Sequence, residues 1–264
     1  MLYDLRALEK IVISTAREEL LPRFTRVARG QKTDGSIITE ADLVCQQRIA
    51  EELQRHWPQT VFLGEEMPAE VQSERLKSAR SLWCLDPLDG TSNFASGIPY
   101  YSVSLALIQD GRISLGIVYD PLRDECFAAS QEQGVSLNGK PLPRIDSDLS
   151  LKQATAIVDF KRLEPALAAR IVRDPPYASQ RSFGSVALDW CWLAMGRGHV
   201  YLHGRSNIWD YAAGHFIFTQ AGGHACTLEG EGIFIDELRP RSSVGATSAA
   251  LFAEWKQWLG VSEK

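Results

Sequence analysis

Cysteine is scarce and scattered. Cys45, Cys84, Cys126, Cys191 and Cys226 are odd in number and form no C-x-x-C pair. That excludes the common zinc spacings and a disulfide framework. Reduced thiols point to a cytoplasmic protein. No run of 18 apolar residues occurs, so no membrane span is expected. The first residues, MLYDLRALEK, lack a basic segment followed by an apolar block, so no secretion signal is expected. Positive charge is also short: 28 Lys and Arg stand against 33 Asp and Glu, a net charge of −5. A general nucleic-acid binder needs a basic face, so neither nucleic acid nor membrane is expected as a partner. Small anionic substrates stay open, because bound cations reverse the sign locally.

What is present reads as two unlike halves of one compact unit, 1–145 and 146–264. Leu5, Leu8, Val12, Ala16 and Leu20 recur at helical spacing over residues 2–20. A second helix follows TEAD, with Thr39 as N-cap and Asp42 at the acidic position of a capping box. TVFLGEE and LWCL read as strands, with a polar, helix-prone link between them. A meander follows, with hairpin signals at Asp110-Gly111 and Asn138-Gly139. The second half alternates strand and helix: ATAIVDF, PALAARIVR, SVALDWCWLAMG, HVYLH, DYAAGHFIFTQAGG, HACTL and AALFAEWKQWL.

Acidic residues gather at strand ends and helix starts. Glu65 and Glu66 end TVFLG, Asp86 ends LWCL, Asp89 follows in the turn, and Asp210 opens a helix after IW. Such positions are rigid, so their side chains can converge with little freedom. Clustered carboxylates repel, and burying them unpaired is expensive. Bound cations offset that repulsion. Oxygen ligands without Cys or His select hard ions, Mg2+ first. Asp86 and Asp89 could hold two ions that clamp a phosphoryl group. Gly90-Thr91-Ser92 adds an anion site if a helix starts there.

Each piece has an ordinary reading as well. Asp86 and Asp89 suit a turn. Asp42 suits a capping box, Asp210 a first helical turn, and Glu65 and Glu66 a solvated strand end. Gly90-Thr91-Ser92 suits a plain helix start. Taken singly, none of them decides the matter.

Together the motifs carry a resemblance. GEE at 64–66, DPLDGTSNF at 86–94 and WDYAAG at 209–214 resemble the inositol monophosphatase family of Mg2+-dependent, lithium-sensitive phosphatases. KTDGSIITEAD at 32–42 resembles that family's lysine loop and its Thr-x-x-Asp. GIVYDP and LNGKPL extend the likeness over nearly the whole chain. The resemblance implies a mixed α+β and α/β fold, a five-layer α/β/α/β/α sandwich shared with sugar bisphosphatases. It implies two to three Mg2+ ions on Glu65, Asp86, the carbonyl of Leu88, Asp89 and Asp210. Phosphate would rest on Gly90 and Thr91 near Ser92. Asp42 would bond Thr91, and Glu65 and Thr91 would position the attacking water. A small phosphomonoester substrate, inositol monophosphate or a related polyol or sugar phosphate, and a homodimer follow from the same likeness.

Substrate choice departs from the pattern. Many inositol phosphatases carry an acidic residue seven positions before the WD aspartate, where this chain has His203. Its ordinary reading is a half-exposed strand-end histidine. Ser185, Val186 and Asp189 in GSVALD suit a substrate wall. Ser92-Asn93 replaces the Lys-Glu of 3′,5′-bisphosphate nucleotidases and the Arg of many histidinol-phosphatases. A fructose-1,6-bisphosphatase activity stays open. Rivals from other classes are a two-metal nuclease, which the negative charge disfavours, and a non-catalytic regulatory partner.

Overall fold

A computed structural model describes residues 3–26, 30–31, 37–145 and 148–262. Lys32–Ser36 of the lysine-loop motif and the first residue of the expected opening helix lie outside the described residues. So do residues 146–147, beside the expected boundary between halves.

In chain order the first half contains α1 (Leu5–Thr15), β1 (Gly30–Gln31), β2 (Ile37–Ile38), α2 (Glu40–His56), β3 (Val61–Gly64), α3 (Ala69–Ser78), β4 (Ser81–Asp89), α4 (Thr91–Ser96), β5 (Ser102–Gln109), β6 (Arg112–Asp120), β7 (Glu125–Ser130), β8 (Gly134–Leu137) and β9 (Lys140–Pro141). Strands β3 to β9 form a seven-stranded sheet in chain order. Only β3 and β4 run parallel, and the rest is a meander. Both tight turns place positive φ on two successive residues, 46° and 71° at Asp110-Gly111 and 49° and 71° at Asn138-Gly139. That conformation matches the twist of the flanking strands.

The second half contains β10 (Thr155–Asp159), α5 (Pro165–Arg173), β11 (Ser179–Arg181), α6 (Val186–Ala194), β12 (Val200–Ser206), α7 (Ile208–Gln220), β13 (His224–Cys226), β14 (Arg241–Ala246) and α8 (Ala249–Leu259). Its sheet runs β11-β10-β12-β14-β13. Strands β10, β11 and β12 are parallel, and β14 pairs antiparallel with β12 and β13.

Side-chain alternation turns these pieces into layers. On β4, Trp83 and Leu85 face α1 and α2, burying Leu8, Val12, Cys45 and Ile49. Leu82 and Cys84 face the other way, onto Leu188, Trp190, Ala213 and Ile217 of α6 and α7. Ile157 and Tyr201 of the second sheet close the far side of that helical pair. Ala156, Val158, Leu202 and Val244 face Ile171 of α5 and Leu251 and Trp255 of α8. The result is a five-layer α/β/α/β/α sandwich. Its middle layer, α6 and α7, is covered by sheets on both sides, so these helices are apolar almost all round.

Two expectations need correction. The opening helix is not uniform to residue 20: it passes at Ala16–Leu20 into a π-turn. Asp89 is not in a turn beyond the strand, because β4 continues through it.

Candidate active site

A bulge explains how one strand end presents two carboxylates. Asp86 pairs with Ser104 and Asp89 with Ser102, so two residues, Pro87 and Leu88, stand opposite Val103 alone. In a regular strand, residues three apart point to opposite faces. One extra residue restores the parity and turns both aspartates to the same face. That is the face of Cys84, towards α6 and α7. The proline is tolerated because the bulge interrupts the ladder there. Asp86 Oδ1 accepts the Leu88 N–H at 3.0 Å, which braces the bulge.

Carboxyl oxygens of Glu65, Asp86 and Asp210 lie within 4.8 Å of one another. Glu65 comes from the end of β3, Asp86 from β4 and Asp210 from the first turn of α7. A capping box fixes the last, with the Asn207 N–H donating to Asp210 Oδ2 at 2.8 Å. Asp86 also shares a hydrogen bond with Glu65. Burial, then the charges of Glu65 and Asp89, drive Asp86 well above the ordinary carboxylate range. Burial, then Glu65 and Asp89, do the same to Asp210. Three acidic groups crowded at low exposure can be satisfied by protons or by a cation. The all-oxygen donor set fits a hard divalent ion.

Asp89 lines the same cavity, yet its oxygens are turned to the start of α6. Its Oδ2 accepts from Ser185 Oγ at 2.6 Å and from the Ala187 N–H at 2.7 Å, and its Oδ1 from the Val186 N–H at 3.1 Å. Those bonds partly offset burial, which pushes its carboxyl up to about 6. Asp89 is thus outside the group of three that converge most closely. Glu66 is not among the residues that line the cavity, and its backbone N–H donates to Gln46 Oε1 at 3.0 Å.

Asp42 holds two positions at once. Its Oδ2 accepts from the N–H and the hydroxyl of Thr39, each at 2.7 Å, which caps α2. Its Oδ1 accepts from Thr91 Oγ1 at 3.1 Å. Burial pushes Asp42 up to about 6 against those hydrogen bonds. The Thr91 hydroxyl also reaches the Leu88 carbonyl at 3.0 Å, so it touches the bulge as well. Gly90 has a φ of 95°, and a Cβ there would meet the Tyr100 and Gly184 carbonyl oxygens at 3.1 and 3.2 Å. Only glycine fits this junction of β4 and α4. Ser92 follows, exposed at the cavity rim.

The cavity has a volume of about 470 Å3. Glu65, Asp86, Leu88, Asp89, Gly90, Thr91, Ser92, Val186, Asp189, His203 and Asp210 all line it. Ser185 is buried beneath, against Asp89. Asp189 accepts from the Tyr100 hydroxyl at 2.9 Å. His203 is not a half-exposed strand end. It is 2% exposed and sits within β12, with Nε2 at 3.0 Å from Asp159 Oδ2. Register explains the contact, since Asp159 and His203 are cross-strand partners.

Sequence reasoning missed several residues here. Asn93 Nδ2 ties α4 to the approach to α6 through the carbonyls of Tyr100 and Phe183 at 2.8 and 2.7 Å. Asp159, Lys161, Arg162 and Ser182 also line the cavity. Asp159 carried the same signal as Asp86, an apolar strand ending in a carboxylate. A larger hollow of about 720 Å3, lined by Tyr177, Glu254 and Trp258 among others, contains none of the converging carboxylates.

Comparison with known proteins agrees with this geometry. The Inositol monophosphatase family profile matches residues 2–257. The Nus factor SuhB of Pasteurella multocida is 35% identical over 206 residues, covering 75% of this chain and 74% of that protein. Inositol monophosphatase 1 of Solanum lycopersicum is 33% identical over 234 residues, covering 86% and 84%. A solved Thermotoga maritima IMPase superposes with a TM-score of 0.83 at 26% identity, covering 96% of this chain and 94% of that one. A family match over almost the full length, joined to the five-layer fold and the converging carboxylates, means that the chain belongs to the inositol monophosphatase family.

Proposed function

We propose that the protein is a Mg2+-dependent hydrolase of small phosphomonoesters, acting on a polyol or sugar phosphate. The observation that supports it best is the convergence of Glu65, Asp86 and Asp210 within 4.8 Å, in one cavity with Gly90, Thr91 and Ser92. Glu65, Asp86, Asp210, the Leu88 carbonyl and Asp89 would hold two to three ions. When bound, Mg2+ supplies charge stabilisation at the phosphoryl oxygens and acidifies water.

The protein's own groups do the rest. The backbone of Gly90 and Thr91, with the Ser92 hydroxyl, receives the phosphate oxygens. The short α4, Thr91–Ser96, makes this a matter of N–H and hydroxyl donors more than of a helix dipole. Thr91 Oγ1, donating to Asp42, accepts a hydrogen bond from the attacking water and orients its lone pair. Glu65, partly exposed at the cavity, takes the water's proton. Asp89 fixes the start of α6, which sets Val186 as the wall beside the leaving alcohol, while Ser185, expected in that wall, lies buried behind it with its hydroxyl donating to Asp89. His203, held by Asp159, faces that alcohol.

The test is phosphate release from a panel of phosphomonoesters with Mg2+ and with excess chelator. Hydrolysis that needs Mg2+ supports the reading, and no release from any ester would sink it. A second reading, a regulatory role in an assembly, is supported by the relatives named Nus factor SuhB. The net charge of −5 weighs against direct nucleic-acid binding but not against a protein partner. We also place the protein in the cytoplasm as a homodimer. Among the described residues, no helix is long and apolar enough to cross a membrane.

A further inference from the structure

A leaving alcohol needs a proton as its bond to phosphorus breaks, while Glu65 is committed to the attacking water. Val186 and Asp189 are three residues apart in α6, so they share one face of the helix. Both line the cavity. Asp189 is 4% exposed, and its two oxygens differ. Oδ1 accepts from the Tyr100 hydroxyl at 2.9 Å. Oδ2 has no hydrogen-bond partner among the described residues and, unlike the orphaned atoms of the core, opens on the cavity. Tyr100 is locked in place, its ring stacked on Phe183 at 4.8 Å between centroids and edge-on to Trp192 at 4.9 Å. Burial, then the charge of Asp189, push the Tyr100 phenol well above its ordinary value, so it stays a donor. In a neutral carboxyl one oxygen accepts and the other carries the proton. Tyr100 therefore sets an Asp189 proton on Oδ2, towards the cavity. Burial drives Asp189 well above the ordinary carboxylate range; the Tyr100 hydrogen bond opposes this, and the charges of Asp89 and Asp159 add to it. Such a site favours the protonated carboxyl. Tyr201 of β12 also bears on Asp189, and Asp210 of α7, Lys161 and Arg162 share its cavity. His203 is already engaged, with Nε2 at 3.0 Å from Asp159 Oδ2 and Nδ1 accepting the Arg205 N–H at 3.3 Å. Against burial, the hydrogen bond and charge of His203 hold Asp159 below the ordinary range, so Asp159 has no proton to give.

We propose that Asp189 is the general acid that protonates the leaving alcohol, and that Tyr100 is the residue that positions it. This deepens the hydrolase reading above and rests on it. The water oxygen bonds to phosphorus, and its proton passes to Glu65. The bond from phosphorus to the alcohol oxygen breaks, and the electron pair left on that oxygen takes the proton from Asp189 Oδ2. Asp189 is then a carboxylate, stabilised by the Tyr100 hydroxyl. It regains a proton from solvent as Glu65 loses one. Asp189 makes its hydrogen bond to Tyr100 and none to Glu65, Asp86, Asp89 or Asp210, so this role is separate from that of the converging carboxyls.

The experiment compares two esters with Mg2+: glycerol 2-phosphate, whose alcohol needs a proton to leave, and p-nitrophenyl phosphate, whose phenolate leaves without one. Asp189→Asn keeps the shape and still accepts from Tyr100. General acid catalysis contributes typically about 10²–10⁴-fold, so the alkyl-to-aryl ratio of kcat/KM should fall about 10²-fold or more in this variant. A residue that only shapes the cavity would lower both rates and leave the ratio. Lys161→Gln, which removes another proton donor of the cavity, should keep the ratio. In wild-type protein kcat on the alkyl ester should fall as pH rises through the Asp189 titration, and Asp189→Asn should lack that limb. Tyr100→Phe removes a bond to the charged form, so it should raise the Asp189 pKa and move the limb to higher pH. An unchanged ratio in Asp189→Asn overturns the proposal, and so does a limb that survives there or a ratio that falls only in Lys161→Gln. If Asp189→Asn does not fold, the limb in Tyr100→Phe decides, and an unmoved limb refutes the role. If the aryl ester is not accepted, the limbs on the alkyl ester decide in the same way. If neither ester is hydrolysed, the hydrolase reading fails and the general acid with it; hydrolysis with an unchanged ratio removes the general acid alone.

Discussion

Gly214→Ala probes the packing that carries Asp210. Gly214 lies in α7 one turn beyond Asp210, pressed against α6. An added Cβ would meet the Ala187 carbonyl oxygen at 2.6 Å, Trp190 Cβ at 2.9 Å and Ala187 Cα at 3.1 Å. Two of these atoms are backbone and the third is fixed to it, so no rotamer change relieves them. Ordinary contact begins at 3.4 Å, so the helices must part by the difference, 3.4 − 2.6 = 0.8 Å. Relief on the other side of α7 is blocked. A Cβ at Gly116 of β6 would itself lie 2.8 Å from the Ala213 carbonyl oxygen, so the sheet already touches the α7 backbone.

The magnitude follows from two opposed effects. Overpacking costs about 1–3 kcal/mol, and fixed backbone neighbours place this case at the upper end. Alanine in a helix returns about 1 kcal/mol relative to glycine. The net expectation is a loss of about 2 kcal/mol, or a Tm lowered by roughly 4–8 °C for a chain of this size. Activity should fall further than stability suggests. Parting the helices displaces Asp210 on one and the Ala187 N–H that holds Asp89 on the other. A misplacement near 1 Å costs on the order of 10²-fold in rate. Thermal denaturation and kcat/KM on one substrate measure both effects, with Gly232→Ala as control. Gly232 has open space around it and no positive φ, so its variant should match wild-type protein. A Gly214→Ala protein within 1 °C of that control would refute the tight crossing of α6 and α7.

Other outcomes follow from the same structure. Excess chelator should abolish turnover and Mg2+ restore it, while Ca2+ activates poorly because it accepts looser geometry; millimolar Li+ should inhibit, as is typical of the family. Asp86→Asn and Asp210→Asn should each lower kcat/KM by orders of magnitude, yet leave the metal-free Tm equal or raised, because each removes repulsion among buried carboxyls; near-normal turnover in either would remove that residue from the site. His215 is pushed down to about 4 by burial, and its buried Nδ1 has no hydrogen-bond partner. The unfolded chain therefore binds the extra proton between its ordinary pKa and that value, so this residue's contribution to stability is complete at neutral pH and is lost as pH falls. By pH 5 the loss is on the order of 1–2 kcal/mol, and His215→Leu should flatten the difference in urea titrations at pH 5 and 7.5. His203→Glu sets a second carboxylate where Nε2 now meets Asp159; it should lower the Tm, whereas His203→Gln should keep the fold and alter only substrate preference.

The elements most legible in the sequence were those set by local chemistry. Asp110-Gly111 and Asn138-Gly139 announce their turns, because few other pairs accept two positive φ values. Thr39 and Asp42 announce the start of α2 for the same kind of reason. The apolar run before Asp86 marked a strand buried on both faces. What stayed hidden depends on partners distant in sequence. Strand β14, RSSVGA, shows no apolar run or alternation that marks a strand, yet every residue in it is buried between β12 and β13. Its Arg241 is tolerated by donating to Glu231 and the Gly232 carbonyl at 3.0 and 2.8 Å. The bulge at Pro87-Leu88 is a fact of register with β5, invisible on β4 alone. The His203–Asp159 pair likewise exists only once β10 and β12 lie side by side.

The acidic residues of the site are used twice, and this answers how a buried strand can end in charge. Asp42 caps α2 while it reaches Thr91, Asp89 satisfies the first N–H groups of α6, and Asp210 caps α7 while it faces Asp86. Helix starts leave N–H groups without partners, and a carboxylate both accepts from them and suits the local dipole. Each acidic group is thus anchored by one oxygen or one face to backbone, which leaves little freedom in the rest. Of the three converging carboxyls, Asp210 cannot swing away without losing its bond to the Asn207 N–H at the start of α7, nor Asp86 without losing its bond to the Leu88 N–H in the bulge. The backbone needs of a helix start and a strand bulge therefore hold together two members of a cluster that would otherwise spread apart. For this reason asparagine at position 210, which still accepts the Asn207 N–H, separates charge from architecture, whereas alanine would remove both, with a cap loss of about 1 kcal/mol.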